Sequence, residues 1–352
     1  MSIFKSHITA MAAYKPPLSG RDANQFVLLD FNERTIPVSH EIKQALIDFI
    51  HSDRLQQYPN YGDIADQLAH YCGVESDQLV ITNGSDHGIE LTIRGTCRAG
   101  DEVIIPDPTF AIYAQVAKTE DLIIHSPQYT KDGGYPLQNV LALINEKTRL
   151  IVAANPNNPC GTPISFEAIK TLAEAAPNAA ILVDECYFEY SKDTAKALIS
   201  EFENIVITRT FSKTWGIPSL RFGYILTAQS NVDALLAMRG PYDINQMAVV
   251  AATAALENPE YTQDYVREIM EESKPLLESF LAQKNIEFWP SVANYLLVLF
   301  DDCSGVKDAL FNAGILVRPR KDNTGKDGLR VTVGTLEQTR RLIAVLENTL
   351  SQ

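Results

Sequence analysis

The chain has 352 residues, 45% apolar and 21% charged, ordinary values for a globular protein with a large core and length for two or three lobes. Its 44 acidic and 30 basic side chains give a formal net charge of −14. That balance speaks against nucleic acid or an anionic membrane surface as the main partner, since both require clustered Lys and Arg. No apolar run approaches the ~20 residues that cross a bilayer, no N-terminal stretch is apolar for long enough to be a secretory signal, and 18 Gly and 18 Pro exclude collagen-like or disordered composition. Cys72, Cys97, Cys160, Cys186 and Cys303 form no C-x-x-C pair, and the six histidines show no tight ligand spacing. These features predict reduced thiols, a cytoplasmic location and no metal centre.

The N-terminal segment, 1–35, has no clear period and is expected to lie across another part of the chain. Residues 39–51 carry Ile42, Ala45, Leu46, Phe49 and Ile50 at helical spacing, with Ser39 as the cap. A turn-rich loop at 57–62 leads to a short amphipathic helix at 64–71. From residue 79, short apolar runs at 79–81, 103–105, 122–124, 150–152, 181–183, 205–207 and 222–226 read as strands. Helical stretches separate several of them, one running to about Cys97, one from Phe110 and one at 166–176. This alternation predicts a large α/β domain, 36–250, around a mostly parallel sheet. Ligands of such sheets sit beyond the carboxyl ends of the strands. The polar clusters Asn83-Gly84-Ser85, Asn158, Asp184 and Ser212-Lys213 fall at those ends. Residues 248–281 read as long helices able to link two lobes. Strands at 295–300, 315–318 and 329–333 and helices at 306–313 and 336–350 then predict a small C-terminal α+β domain, 251–352, which the N-terminal segment is expected to join.

Lys213 closes the run Thr210-Phe211-Ser212-Lys213, with Arg221 eight residues on. A loop lysine is ordinarily a solvated surface group. Here two hydroxyls and a guanidinium can converge on a phosphate, and Gly84-Ser85-Asp86 opens a helix whose free N–H groups and positive dipole end suit the same anion. A lysine beside a phosphate cup, with an acid near, suggests pyridoxal phosphate. That cofactor needs a Schiff-base lysine, an anion anchor and an acidic partner for its pyridine nitrogen. Asp184 is either a turn cap or that acidic partner, because an ionised Asp in a dry site must be paired. Tyr187 is either core packing or a contact for the ring hydroxyl. Asn158, within 155–161, is either part of a Pro-Gly turn or a second contact to the same oxygen.

In this order and spacing, the pieces resemble the fold-type-I pyridoxal-phosphate aminotransferases of class I/II, most closely their histidinol-phosphate branch. The similarity runs from Asp30-Phe31-Asn32-Glu33 to residues 329–335. It includes Tyr58-Pro59, Asn83-Gly84-Ser85-Asp86, Asn157-Asn158-Pro159-Cys160-Gly161, Asp184-Glu185-Cys186-Tyr187, Leu220-Arg221-Phe222-Gly223 and residues 240–245. The resemblance implies the aspartate-aminotransferase-like fold, a large domain with a mostly parallel α/β sheet plus a small α+β domain. It implies that Lys213 joins the cofactor pyridoxal 5′-phosphate and then shuttles a proton, that Asp184 keeps the pyridine nitrogen protonated, and that Tyr187 and Asn158 contact the ring hydroxyl. Phe110 would stack on the ring. Gly84, Ser85, Thr210, Ser212 and Arg221 would hold the phosphate, with Asp86 also at the cofactor. Tyr58 would reach the neighbouring subunit's cofactor, which implies a homodimer with shared sites. Arg330 would bind an anionic substrate group, with Arg318 a second candidate, and Asn32 and Tyr14 are further substrate contacts.

The implied reaction is ping-pong transamination between histidinol phosphate and 2-oxoglutarate. Asp86-His87, Phe110, Cys160, Trp215 and Pro218 depart from the usual pattern. They leave aromatic or other amino acids as alternative substrates, beside decarboxylation of a phosphorylated amino acid or a non-catalytic binding role on the same fold.

Overall fold

The computed structural model of the chain describes residues 2–13, 15–132 and 134–351. Its strands are β1 (Val27–Leu29), β2 (Leu79–Thr82), β3 (Glu102–Ile104), β4 (Ile123–His125), β5 (Thr148–Ala154) and β6 (Ala180–Asp184), followed by β7 (Ile205–Thr210), β8 (Gly223–Thr227), β9 (Glu287–Phe288), β10 (Tyr295–Leu299), β11 (Ile315–Lys321) and β12 (Asp327–Thr332). Seven of them make one sheet in the order β2-β8-β7-β6-β5-β3-β4. β3 to β7 run parallel, and β8 runs antiparallel to both its neighbours, β7 and β2. Every residue of β6 and β7 is buried. Both faces of the sheet are covered, which is why these strands are apolar runs rather than alternating patterns.

The register lines up the chemistry. Ala154 faces Asp184, Asp184 faces Thr208, and Gly223 faces both Thr210 and Thr82. The carboxyl ends of β2, β5, β6 and β7 and the start of β8 therefore open on one edge.

The second sheet has the order β1-β11-β12-β10-β9. β1 pairs in parallel with β11, Val27 opposite Ile315, so the N-terminal segment supplies an edge strand to a sheet otherwise built after residue 286. β11 continues through Pro319 to Lys321, beyond the strand read from sequence. β1 covers only 315–317, so Pro319 removes no ladder bond on that side. The two cores interlock. Trp289, Leu297 and Leu299 join the core of the large sheet, while Tyr187 and Tyr190 pack into the core of the small one.

The long helices expected at 248–281 are interrupted. Gln246–Glu257 ends before Pro259, whose ring restricts the residue preceding it. Glu260–Arg267 then passes through a π-helical turn, Glu268–Ser273, into Lys274–Gln283, which carries Pro275 in its first turn. Two helices, Leu137–Leu143 and Gln229–Met238, lie in stretches with no periodic apolar pattern. Only Val140 is buried in the first, and only Val232 and Leu235 in the second.

Candidate active site

The edge at the strand ends holds a cavity lined in part by Phe110, Asn158, Asp184, Tyr187 and Lys213. Lys213 sits just past β7 in a tight turn closed by the Gly216 N–H donating to Lys213 O at 3.2 Å, with Gly216 at φ +75°. Its ε-amine donates to the Phe31 carbonyl at 2.9 Å and lies 5.9 Å from the centre of the Tyr187 ring. Burial, and next the charge of Arg330, push the Lys213 ammonium down to about 8, against the opposing pull of Cys186, Glu33 and Asp86.

Asp184 is the last residue of β6 and is buried. Its carboxylate accepts the Tyr113 hydroxyl and the Cys186 N–H, the latter at 3.2 Å. Burial raises its pKa, and the hydrogen bonds from Cys186 and Tyr113 oppose that rise. Tyr113 comes from the helix Ala111–Thr119 and is itself buried.

A polar cup lines the same cavity. Ser85 stands in the first turn of the helix Gly84–Thr96, with Thr210 at the end of β7 and Ser212 and Arg221 on the segment between β7 and β8. The Ser212 N–H donates to Thr210 Oγ1 at 3.1 Å, and Arg221 reaches Ser212 Oγ at 3.4 Å and Asp86 at 3.0 Å. The Cys186 thiol donates to Ser85 Oγ at 3.2 Å. Two glycines make this approach possible. A Cβ on Gly84, at φ +76°, would lie 2.5 Å from the Arg221 guanidinium, and one on Gly223 would lie 2.6 Å from the Ser85 nitrogen. Neither position tolerates a side chain without moving the cup.

On the remaining side, the Tyr187 hydroxyl accepts Asn32 Nδ2 at 3.0 Å and Asn158 Nδ2 at 3.5 Å. Burial pushes this phenol up to about 12, with Arg330 and Asn32 pulling the other way. Asn32 is fully buried, left-handed at φ 56°, and tied to Thr332 on β12. Arg330 donates to Asn158 Oδ1 at 2.7 Å and to the Asp30 carbonyl, while its buried Nε has no partner among the described residues. Arg318 is directly opposite Arg330 in the β11–β12 register. Its guanidinium lies 5.2 Å from the centre of the Phe31 ring, and no carboxylate among the described residues forms an ion pair with it.

Most residues singled out from the sequence thus meet at one place. Gly84 lies behind the cup rather than on its surface. Arg318 lines a neighbouring cleft that shares Phe110 and Asn158. Tyr58 is outside the cavity, 77% exposed and stacked on Tyr242 at 4.3 Å. Tyr14 lies outside the described residues. Tyr113 and Cys186 line the cavity without having been singled out as site residues. The spacing Phe110-x-x-Tyr113 was the available signal for the first, since residues three apart share a helical face. Among the described residues no group of three or more His, Cys, Asp or Glu side chains is arranged to hold a metal ion.

The donor set fits pyridoxal phosphate. A lysine amine depressed towards neutrality, a buried carboxylate and a cup of hydroxyls, helix N–H groups and one guanidinium match a carbonyl, a pyridine nitrogen and a phosphate in turn. The orphaned Arg330 Nε adds an anion donor beside them.

Comparison with known proteins agrees. A family model described as aminotransferase class I and II matches residues 24–346. A histidinol-phosphate aminotransferase of Thermoanaerobacter sp. (strain X514) is 31% identical over 326 residues, 92% of each chain. Among solved structures, histidinol-phosphate aminotransferase from Sinorhizobium meliloti, in complex with pyridoxal-5′-phosphate, superposes with a TM-score of 0.87 at 21% identity, covering 100% of this chain and 98% of the other. L-threonine-O-3-phosphate decarboxylase from Porphyromonas gingivalis gives 0.78 at 21% identity, covering 93% and 100%. The chain belongs to the class I and II aminotransferases. It is a pyridoxal-phosphate-dependent enzyme of the aspartate-aminotransferase-like fold.

Proposed function

We propose that this enzyme carries the amino group from glutamate to imidazole-acetol phosphate, giving 2-oxoglutarate and histidinol phosphate in two half-reactions on one site. The carrying observation is the cross-strand pair Arg318 and Arg330. Like charges directly opposite each other on neighbouring strands are unfavourable, and an anionic substrate group offsets that repulsion. A phosphate and a carboxylate, arriving in alternate half-reactions, both suit planar guanidinium donors. The histidinol-phosphate aminotransferase relatives, similar over nearly the whole chain, support the same substrate.

When bound, pyridoxal phosphate supplies a carbonyl carbon for the amino group and a protonated ring that draws electron density from the substrate Cα. Lys213 holds it and then moves the proton at Cα; an amine titrating near 8 keeps a usable neutral fraction close to pH 7. Asp184 holds the proton at the pyridine nitrogen, aimed by Tyr113. Tyr187 and Asn158 orient the ring hydroxyl, and Phe110 covers a ring face. Ser85, Thr210, Ser212 and Arg221 bind the phosphate, with Gly84 giving room and Asp86 holding Arg221. Arg330, steadied by Asn158, binds the substrate anion, and Asn32 fixes Tyr187.

The exposed Tyr58 on its Tyr242 partner supports an active homodimer in which Tyr58 serves the neighbouring site. We also propose a cytoplasmic location and a division into the large domain 36–250 and a small one of 251–352 with 1–35. No helix among the described residues is long and apolar enough to cross a membrane.

The deciding experiment is a half-reaction screen that follows the cofactor's absorbance as single amino donors are added. Histidinol phosphate and glutamate should react fastest. Faster reaction with an aromatic amino acid, or carbon dioxide release without any oxo acid, would overturn the substrate assignment.

A further inference from the structure

Glu189 is a part-buried carboxylate with no place in the chemistry proposed above. It follows Tyr187 by two residues, on the short helix Phe188–Ser191. Its two oxygens turn towards the segment just after Lys213. Oε2 accepts the Thr214 hydroxyl at 3.2 Å, and Oε1 accepts the Trp215 indole N–H at 3.0 Å. The Tyr71 hydroxyl also donates to Oε1, at 3.4 Å, and the Tyr71 ring packs edge-on against Trp215. Phe211 stacks on Trp215 with centroids 5.1 Å apart and planes 18° from parallel. The turn carrying Lys213 is therefore clasped between a residue two before it and a residue two after it, and Glu189 is where the clasp is fastened.

A carboxylate is a costly way to fill this space. Burial raises the Glu189 pKa, opposed by the charge of Arg209 and by hydrogen bonds that include those from Trp215 and Thr214. An apolar side chain would pack there without that cost. What it could not do is accept donors from two consecutive residues at once and so fix one turn against another. Trp215, one of the departures noted in the sequence, supplies one of those donors.

We propose that Glu189 is a positioning residue that locks the turn bearing Tyr187 to the turn bearing Lys213, and so sets where the ε-amine stands against the Tyr187 hydroxyl. The inference rests on the role proposed for Lys213.

Three variants of the holoenzyme test it: Glu189→Ala, Glu189→Gln and Trp215→Phe. A displacement of a reacting group by about 1 Å costs up to about 100-fold. Glu189→Ala should accordingly lower kcat about 10- to 100-fold while the KM for glutamate stays within about threefold, because the Arg330 clamp is untouched. In cofactor-free protein, the pH midpoint for reductive methylation of Lys213, read by peptide mass spectrometry, should move upward from about 8, with Arg330, Cys186, Glu33 and Asp86 unchanged around it. Glu189→Gln still offers an oxygen to Trp215 and should keep kcat within about threefold. Trp215→Phe keeps an aromatic ring in a smaller form, loses the N–H and should reproduce part of the loss, adding little on top of Glu189→Ala.

A Glu189→Ala protein with a lowered Tm but wild-type kcat and Lys213 midpoint would overturn the proposal. Should that variant fail to fold, Trp215→Phe with wild-type kcat and midpoint would overturn it equally. If wild-type protein gives no cofactor adduct on Lys213 after borohydride reduction, the role of Lys213 fails first and the proposal with it.

Discussion

The hydroxyl of Tyr113 donates to the carboxylate of Asp184 at the end of β6, with both side chains buried. A hydrogen bond to the ionised form favours it where burial opposes it, so Tyr113 helps Asp184 to present a charge to the pyridine nitrogen. Removing the hydroxyl leaves the ring packing against Phe110, 5.8 Å away, intact. Tyr113→Phe should weaken cofactor binding about 10- to 100-fold, the range for one hydrogen bond to a charged group. Titrating cofactor into stripped protein measures it, and an unchanged Kd would contradict the assignment. Asp184→Ala should nearly abolish turnover while sparing the fold.

Lys213 carries a pH signature. Its folded pKa, about 8, lies below the ~10.4 of an unfolded lysine. Between those values the unfolded chain binds more protons, so stability of the cofactor-free protein rises with pH across that window and is flat from this source below it. Lys213→Met should be the more stable protein at pH 7, and the advantage should shrink towards pH 10. Denaturant unfolding at several pH values checks this. A constant difference would show that the amine is not depressed. Arg330→Ala should move the midpoint upward, because the Arg330 charge contributes to the depression.

Arg330 also has a substrate signature. Its Nε is buried with no partner among the described residues, while its other nitrogens hold Asn158 and the Asp30 carbonyl. Arg330→Ala should raise the KM for glutamate by about 100-fold, in keeping with loss of a charge-assisted pair. A KM within twofold of wild type would remove Arg330 from the substrate site.

Below the site, Glu185 and Arg209 form an ion pair, N to O 2.7 Å, with side-chain exposures of 0% and 1%. Arg209 also lies 3.6 Å from the centre of the Phe188 ring, and Glu185 takes the Thr194 hydroxyl and the Ala195 N–H. Breaking a buried pair by removing one partner costs about 3–5 kcal/mol. Glu185→Ala should cost that much in denaturant unfolding, and Glu185→Leu with Arg209→Met should cost less than Glu185→Ala alone. A single-variant cost under about 1 kcal/mol would contradict this.

Much of this was legible in the sequence because strand ends are written in residue type. An apolar run that stops at Asp184, or passes into Ser212-Lys213, marks both the strand and its ligand-facing edge. Tyr113 was hidden because, on a helix with a buried stripe, its apolar ring reads as core and its hydroxyl is invisible. Glu189 was hidden for the opposite reason: a charged residue near a loop reads as solvated, and only the tertiary fold brings Trp215 to it. The π-helical turn at Glu268–Ser273 left no hydrophobic signature, since widening one turn scarcely alters which residues face the core. The direction of β8 was equally silent, because an apolar strand covered on both faces reads the same either way.

Every role assigned to the site depends on which amine carries the cofactor. Borohydride reduction of protein saturated with pyridoxal phosphate, followed by digestion and peptide mass spectrometry, answers that directly. A single pyridoxyl-phosphate adduct is expected on the peptide that contains Lys213, lost in Lys213→Ala. An adduct on any other lysine, or none from protein saturated with pyridoxal phosphate, would contradict it.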